Sequence, residues 1–126
     1  MDDWSEDNFG NEGARDYLSM LTTQLMATIT AIFNNKSRLR PEEDGESMLM
    51  PSLDVLAQLC ERCDAVPPKP DTIRQWSRKY LKAFNAGADH VHPNVDCQAR
   101  RRKVIENTFR WLQGLSDTYW ETEDAS

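Results

Sequence analysis

No stretch of the chain approaches the run of about 20 apolar residues that crosses a bilayer as a helix. The opening Met1-Asp2-Asp3-Trp4-Ser5-Glu6-Asp7 is acidic where a secretory signal is basic and then apolar, so a cytoplasmic protein without membrane association is predicted. Cysteine is scarce and odd in number: Cys60, Cys63 and Cys97 suit reduced thiols and exclude a disulfide framework of the kind that staples small secreted domains. The five glycines build no phosphate-cradling loop, and no nucleophile elbow or paired-carboxylate motif is present. Nor is there a basic excess. Fifteen Lys and Arg against 21 Asp and Glu leave a net charge of -6, a field that repels nucleic acid and anionic lipid and favours a partner with a basic surface.

The 126 residues, 39% apolar and 29% charged, have the balance of one folded domain rather than of a disordered chain. Strand-like alternation and internal repeats are missing, and helical spacing dominates. Ala14, Tyr17, Leu18, Leu21, Leu25, Ile29, Ile32 and Phe33 predict a helix from Glu12 to Phe33, with Asn11 as its N-cap and Asn34-Asn35 at its end. Residues 36–47 are charged, contain Pro41 and Gly45, and read as a solvated loop with room for a short turn of helix. A second helix starts at Pro51 and carries Leu53, Leu56, Ala57, Cys60 and Cys63 on one face, until Pro67-Pro68-Lys69-Pro70 stops it. Asp71 then caps a third helix with Ile73, Trp76, Tyr80 and Phe84 on its stripe, ending near Gly87. After a loop over residues 88–95, Asp96 caps a long helix buried through Val104, Ile105, Thr108, Leu112, Leu115 and Tyr119, with Gly114 a place to bend.

The prediction is an all-α fold: one domain over residues 1–126, a compact bundle of four to five amphipathic helices. An acidic arm (residues 1–10) precedes it and a frayed acidic tail (121–126) follows. Leu18, Leu21, Leu56, Trp76, Ile105 and Leu112 are the expected core.

Cys60-Glu61-Arg62-Cys63, followed by His90, His92 and Cys97, supplies the thiolates and imidazoles that tetrahedral zinc requires. The same spacing puts Cys60 and Cys63 on a buried helical stripe, where cysteine acts as a small apolar residue, and no metal or other cofactor is expected. A redox role needs the first cysteine at a helix N-terminus, and this pair closes its helix. His90 and His92 have no serine, lysine or carboxylate at triad spacing, and Glu42, Glu43, Asp44 and Glu46 lack the register of a calcium loop. Arg100-Arg101-Arg102-Lys103 could meet phosphate, but salt bridges to an acidic loop or the tail account for it equally well.

Residues 4–18, Trp4-Ser5-Glu6-Asp7-Asn8-Phe9-Gly10-Asn11-Glu12-Gly13-Ala14-Arg15-Asp16-Tyr17-Leu18, resemble the start of a bacterial family of small proteins grouped as a domain of unknown function. That family opens Trp-Gly-x-Gly-x-Phe-x-Asn-Asp-x-Ala-x-Asp-Trp-Leu. Trp4, Phe9, Asn11, Ala14, Asp16 and Leu18 match it, Glu12 and Tyr17 are close substitutions, and Ser5 and Asp7 replace its glycines. Leu53-Asp54-Val55-Leu56-Ala57 is similar to its internal Ala-Glu-Val-Val-Ala, and Leu115 to Glu121 to its closing Leu-x-Glu-Leu-Trp-Glu. The resemblance implies a small α-helical protein and brings no activity or catalytic residue.

The functional expectation is a non-enzymatic protein-interaction module that covers a basic surface on another protein, as toxin-neutralising immunity proteins do. Trp4 and Phe9 are candidate contacts, although aromatics ahead of a cap also serve as a hydrophobic staple. Glu42, Glu43, Asp44 and Glu46 are the acidic candidates. The alternatives are a metal module built on Cys60, Cys63, His90, His92 and Cys97, and a nucleic-acid contact through Arg100 to Lys103.

Overall fold

A computed structural model describes residues 8–125, with side chains through Glu121. Four α-helices form among the described residues, and none is long and apolar enough to cross a membrane. Helix α1 (Glu12–Phe33) starts where the cap signal puts it. Asn11 is extended (φ -127°, ψ 161°) and its Oδ1 accepts the Ala14 amide at 2.8 Å, which satisfies one of the orphan donors of the first turn. Leu18, Ile29, Ile32 and Phe33 are buried, and Phe33 stacks on Trp76 at 5.4 Å between ring centroids. Leu21, expected in the core, is half-buried, and Tyr17 is 55% exposed. The buried stripe runs through Leu18 and Ile29, which leaves positions 17 and 21 on its flank.

The expected solvated loop is instead a core element. Pro41–Leu49 winds in wide turns, with the Gly45 amide donating to the Arg40 carbonyl five residues back at 3.0 Å, and with a break at Glu43 (φ -95°, ψ -114°). Leu39, Pro41, Gly45 and Leu49 are buried. A Cβ on Gly45 would stand 2.7 Å from the Leu39 carbonyl oxygen and 2.8 Å from Tyr80 Cε1, so a glycine is what lets this segment close on Tyr80.

The wide segment leads without a gap into α2 (Met50–Cys63), which buries Leu53, Leu56, Ala57 and Cys60. Asp64 ends it in the left-handed conformation (φ 63°, ψ 30°), and the Ala65 amide returns to the Leu59 carbonyl at 3.2 Å. Helix α3 (Pro70–Gly87) begins two residues earlier than expected: Pro70 fills the first position, Lys69 is the cap residue, and Asp71 sits inside the first turn paired with Arg74. Its stripe of Ile73, Trp76, Tyr80 and Phe84 is buried as read.

A short 3-10 turn (Ala88–His90) leads to α4 (Val95–Ala125). The cap here is Asn94 rather than Asp96, since Asn94 Oδ1 accepts the amides of Asp96 at 2.8 Å and Cys97 at 3.3 Å. The helix passes Gly114 unbroken and runs to Ala125. Ile105, Phe109 and Leu112 reach the core, whereas Val104 is 49% exposed. Helix α4 packs on α2 and α3, and α1 closes over α2 and the wide segment. Each fully buried Leu, Ile or Phe contributes roughly 1.5–3 kcal/mol to holding these layers together.

Candidate functional site

The densest polar cluster forms where the wide segment, α3, the 88–94 turn and α4 meet. Glu46 Oε2 accepts the Tyr80 hydroxyl at 2.7 Å. Arg101 donates Nε to Glu46 Oε1 at 2.6 Å and Nη2 to Oε2 at 3.3 Å, the forked geometry of a strong charge-assisted pair. His92 Nε2 stands 3.6 Å from the same carboxylate, and His90 Nε2 stands 3.5 Å from Glu42 Oε2. Burial pushes the Glu46 carboxyl upward, but hydrogen bonds from Arg101, Tyr80 and His92 and the charge of Arg101 outweigh it and hold the group below its ordinary value. Burial and the Glu46 carboxylate raise the Tyr80 phenol.

This geometry fastens elements of the fold to one another. Both oxygens of Glu46 are engaged, Tyr80 is fully buried, and Arg101 is spent on the pair. The cluster ties three helical elements to one carboxylate. Of the acidic candidates, Glu46 is therefore committed inside the fold, and Asp44 pairs with Arg38 at 2.6 Å. Glu42 faces His90, and Glu43 is exposed. The Arg100–Lys103 run is divided in the same way: Arg101 holds Glu46, Arg102 donates to Asn85 Oδ1 at 2.8 Å and lies over the Phe84 ring, and Arg100 and Lys103 face outward.

The cysteines and histidines do not converge. Cys60 and Cys63 lie at the end of α2 beside the second half of α4, where Glu61 accepts from Trp111 Nε1. His90, His92 and Cys97 lie at the start of α4. From Cys97 to Trp111 the helix climbs about 21 Å at 1.5 Å per residue, and no group of three or more potential ligands forms among the described residues. Cys60 is buried and its thiol is pushed up to about 11 by burial, which makes it a packing residue with little thiolate character. Cys63 is half-buried and lines a surface groove.

That groove is the feature sequence reading missed. It encloses about 1010 Å³ between the first half of α1 and the turn after α2. Phe9, Leu18, Met26, Cys63, Ala65 and Val66 give it an apolar lining, and Arg15, Arg62 and Asp64 stand among them. The left-handed Asp64 turns the chain so that Ala65 packs inward while Val66, 50% exposed, points to the rim. Phe9 packs on the core edge, as a staple does, and Arg15 Nε donates to its carbonyl at 3.2 Å. Trp4 lies outside the described residues. The signal that could have pointed here was the apolar pair Ala65-Val66 between the polar end of α2 and the prolines that follow.

No family model, no curated protein and no solved structure matches the chain.

Proposed function

We propose that this chain is a non-enzymatic protein-interaction module, and that it receives an apolar anchor of a partner protein in the groove between α1 and the end of α2. The observation that carries the reading is the groove itself, an open apolar-floored cleft of about 1010 Å³ with Val66 half exposed at its rim. Its mixed lining suits the core of an interface, an apolar anchor ringed by polar contacts. The net charge of -6 adds long-range attraction to a basic partner and repulsion of nucleic acid, as in immunity-type proteins that bind by charge complementarity.

A photo-crosslinking residue placed at position 66, with position 95 as an exposed control, tests this in cells. The expected result is a discrete protein adduct from position 66 alone, whose purified partner binds the wild-type chain and loses at least tenfold in affinity against Val66→Glu. Adducts formed equally at both positions would remove the groove from the reading. One zinc per purified chain, with unfolding on chelation, would replace it with the metal alternative.

A further inference from the structure

Helix α4 carries its outward charge in two halves. Before Gly114 the exposed residues Arg100, Lys103 and Arg110 are cationic, and after it the exposed Asp117 and Glu121 are anionic. Two exposed acids interrupt the cationic half, Asp96 in the first turn, far from Gly114, and Glu106, which shares a shallow groove with Arg74 and Arg78 of α3. Gly114 sits at the changeover. A Cβ there would meet nothing within 4 Å, so no contact inside the chain requires a glycine. A mid-helix glycine nonetheless destabilises its helix relative to alanine. Beside it a second groove of about 630 Å³ opens between α4 and the end of α2, with Cys60, Ala65, Pro67, Trp111, Leu115 and Tyr119 in its lining.

We propose that this face is a self-association surface, on which α4 of one copy crosses α4 of a second copy in antiparallel sense at Gly114. Antiparallel crossing sets each cationic half against the anionic half of the other helix, whereas parallel crossing sets like charges together. A two-fold axis at Gly114 brings Arg110 opposite residues 117 and 118 of the other copy, and the arrangement repeats symmetrically. The glycine lets the backbones approach closely, and the half-exposed Trp111 and Leu115 of each copy are covered by the other. The second groove shares Asp64 and Ala65 with the α1 groove, but the crossing rests on α4, no residue of which lines the first groove.

Sedimentation velocity over a micromolar to millimolar range at low salt tests it. The wild-type chain is expected to reach twice its 14.5 kDa mass. Gly114→Gln, a good helix former placed in open space, is expected to keep the fold and raise the dissociation constant at least tenfold. Arg110→Asp and Asp117→Arg are each expected to raise it roughly tenfold, and the double variant to restore it, since the swapped charges meet again across the axis. Val66→Glu is expected to leave the dimer intact. A wild-type chain that stays monomeric throughout, single variants that associate like wild type, or a double variant that fails to recover would each overturn the proposal.

Discussion

The two halves of α4 are fastened to the bundle by different physics. The first half is held through Arg101 to the Glu46 carboxylate, which also takes Tyr80. The second half is held by neutral donors on proline carbonyls: Ser116 Oγ to Pro68 at 2.5 Å, Trp120 Nε1 to Pro67 at 3.0 Å and Gln113 Nε2 to Pro70 at 3.4 Å. One fastening is charged and converges on a single residue. The other is carried mainly by neutral donors spread over three carbonyls, with charged groups only at its exposed edge, Glu61 on Trp111 and Lys69 over Trp120. The first should therefore fail as a unit and respond to pH, and the second should fail piecemeal and respond to it less.

Glu46→Ala is the sharpest way to break that contrast. It leaves the half-buried Arg101 and the buried Tyr80 hydroxyl without their acceptor, and is expected to cost about 2–4 kcal/mol in denaturant-derived stability. A loss no larger than that of an exposed ion pair, under about 1 kcal/mol, would show that water replaces the carboxylate without penalty. Acid sharpens the comparison next. Because Glu46 is held below its ordinary value of 4.5, its stabilisation is complete above that pH and is lost as pH falls through the lower folded-state value. Glu46→Gln is expected to flatten the stability profile in that acidic window, while Ser116→Ala shifts the whole profile without changing its shape. Equal profiles for wild type and Glu46→Gln would assign the acid response to other carboxylates.

Ser116→Ala itself is expected to cost about 1–2 kcal/mol, because the Pro68 carbonyl then loses its buried donor. Smaller still, Asn11→Ala should cost about 1 kcal/mol through the cap of α1, whose bond is part of neither fastening, and should add to either of the other changes within about 0.5 kcal/mol. Non-additivity would mean that α1 and the Glu46 cluster are coupled through the wide segment they both contact.

What could be read from the chain beforehand follows the range of the forces involved. The α1 bounds and its Asn11 cap depend on neighbours within one turn, and both were legible. The stripe of α3 was equally plain, because its apolar residues fall on a narrow arc. Periodicity fixes a face but not its width, and so Leu21, Tyr17 and Val104 were assigned to a core that they only border or face away from. Pro70 and Asn94 displaced Asp71 and Asp96 at their helix starts, in each case because the stronger local signal stood one or two residues earlier. The wide segment was opaque for a deeper reason. Pro41, Gly45 and Glu46 look like a solvated turn until Tyr80 and Arg101, 34 and 55 residues away, are brought beside them.

The connector after α2 has a consequence for how the protein meets its surroundings. Three of the four residues 67–70 are prolines, so this strip of backbone offers carbonyls almost without amide donors. Three of those carbonyls are occupied by side chains of α4. An extended segment is where a compact helical protein most resembles the edge of a sheet, open to capture by a stray strand from an unfolded neighbour. Here that edge has a single amide donor, at Lys69, and three of its acceptors are already taken. The extended crossing thus serves as a seam that resists β-type aggregation, a property reaching beyond the packing of α2 against α3.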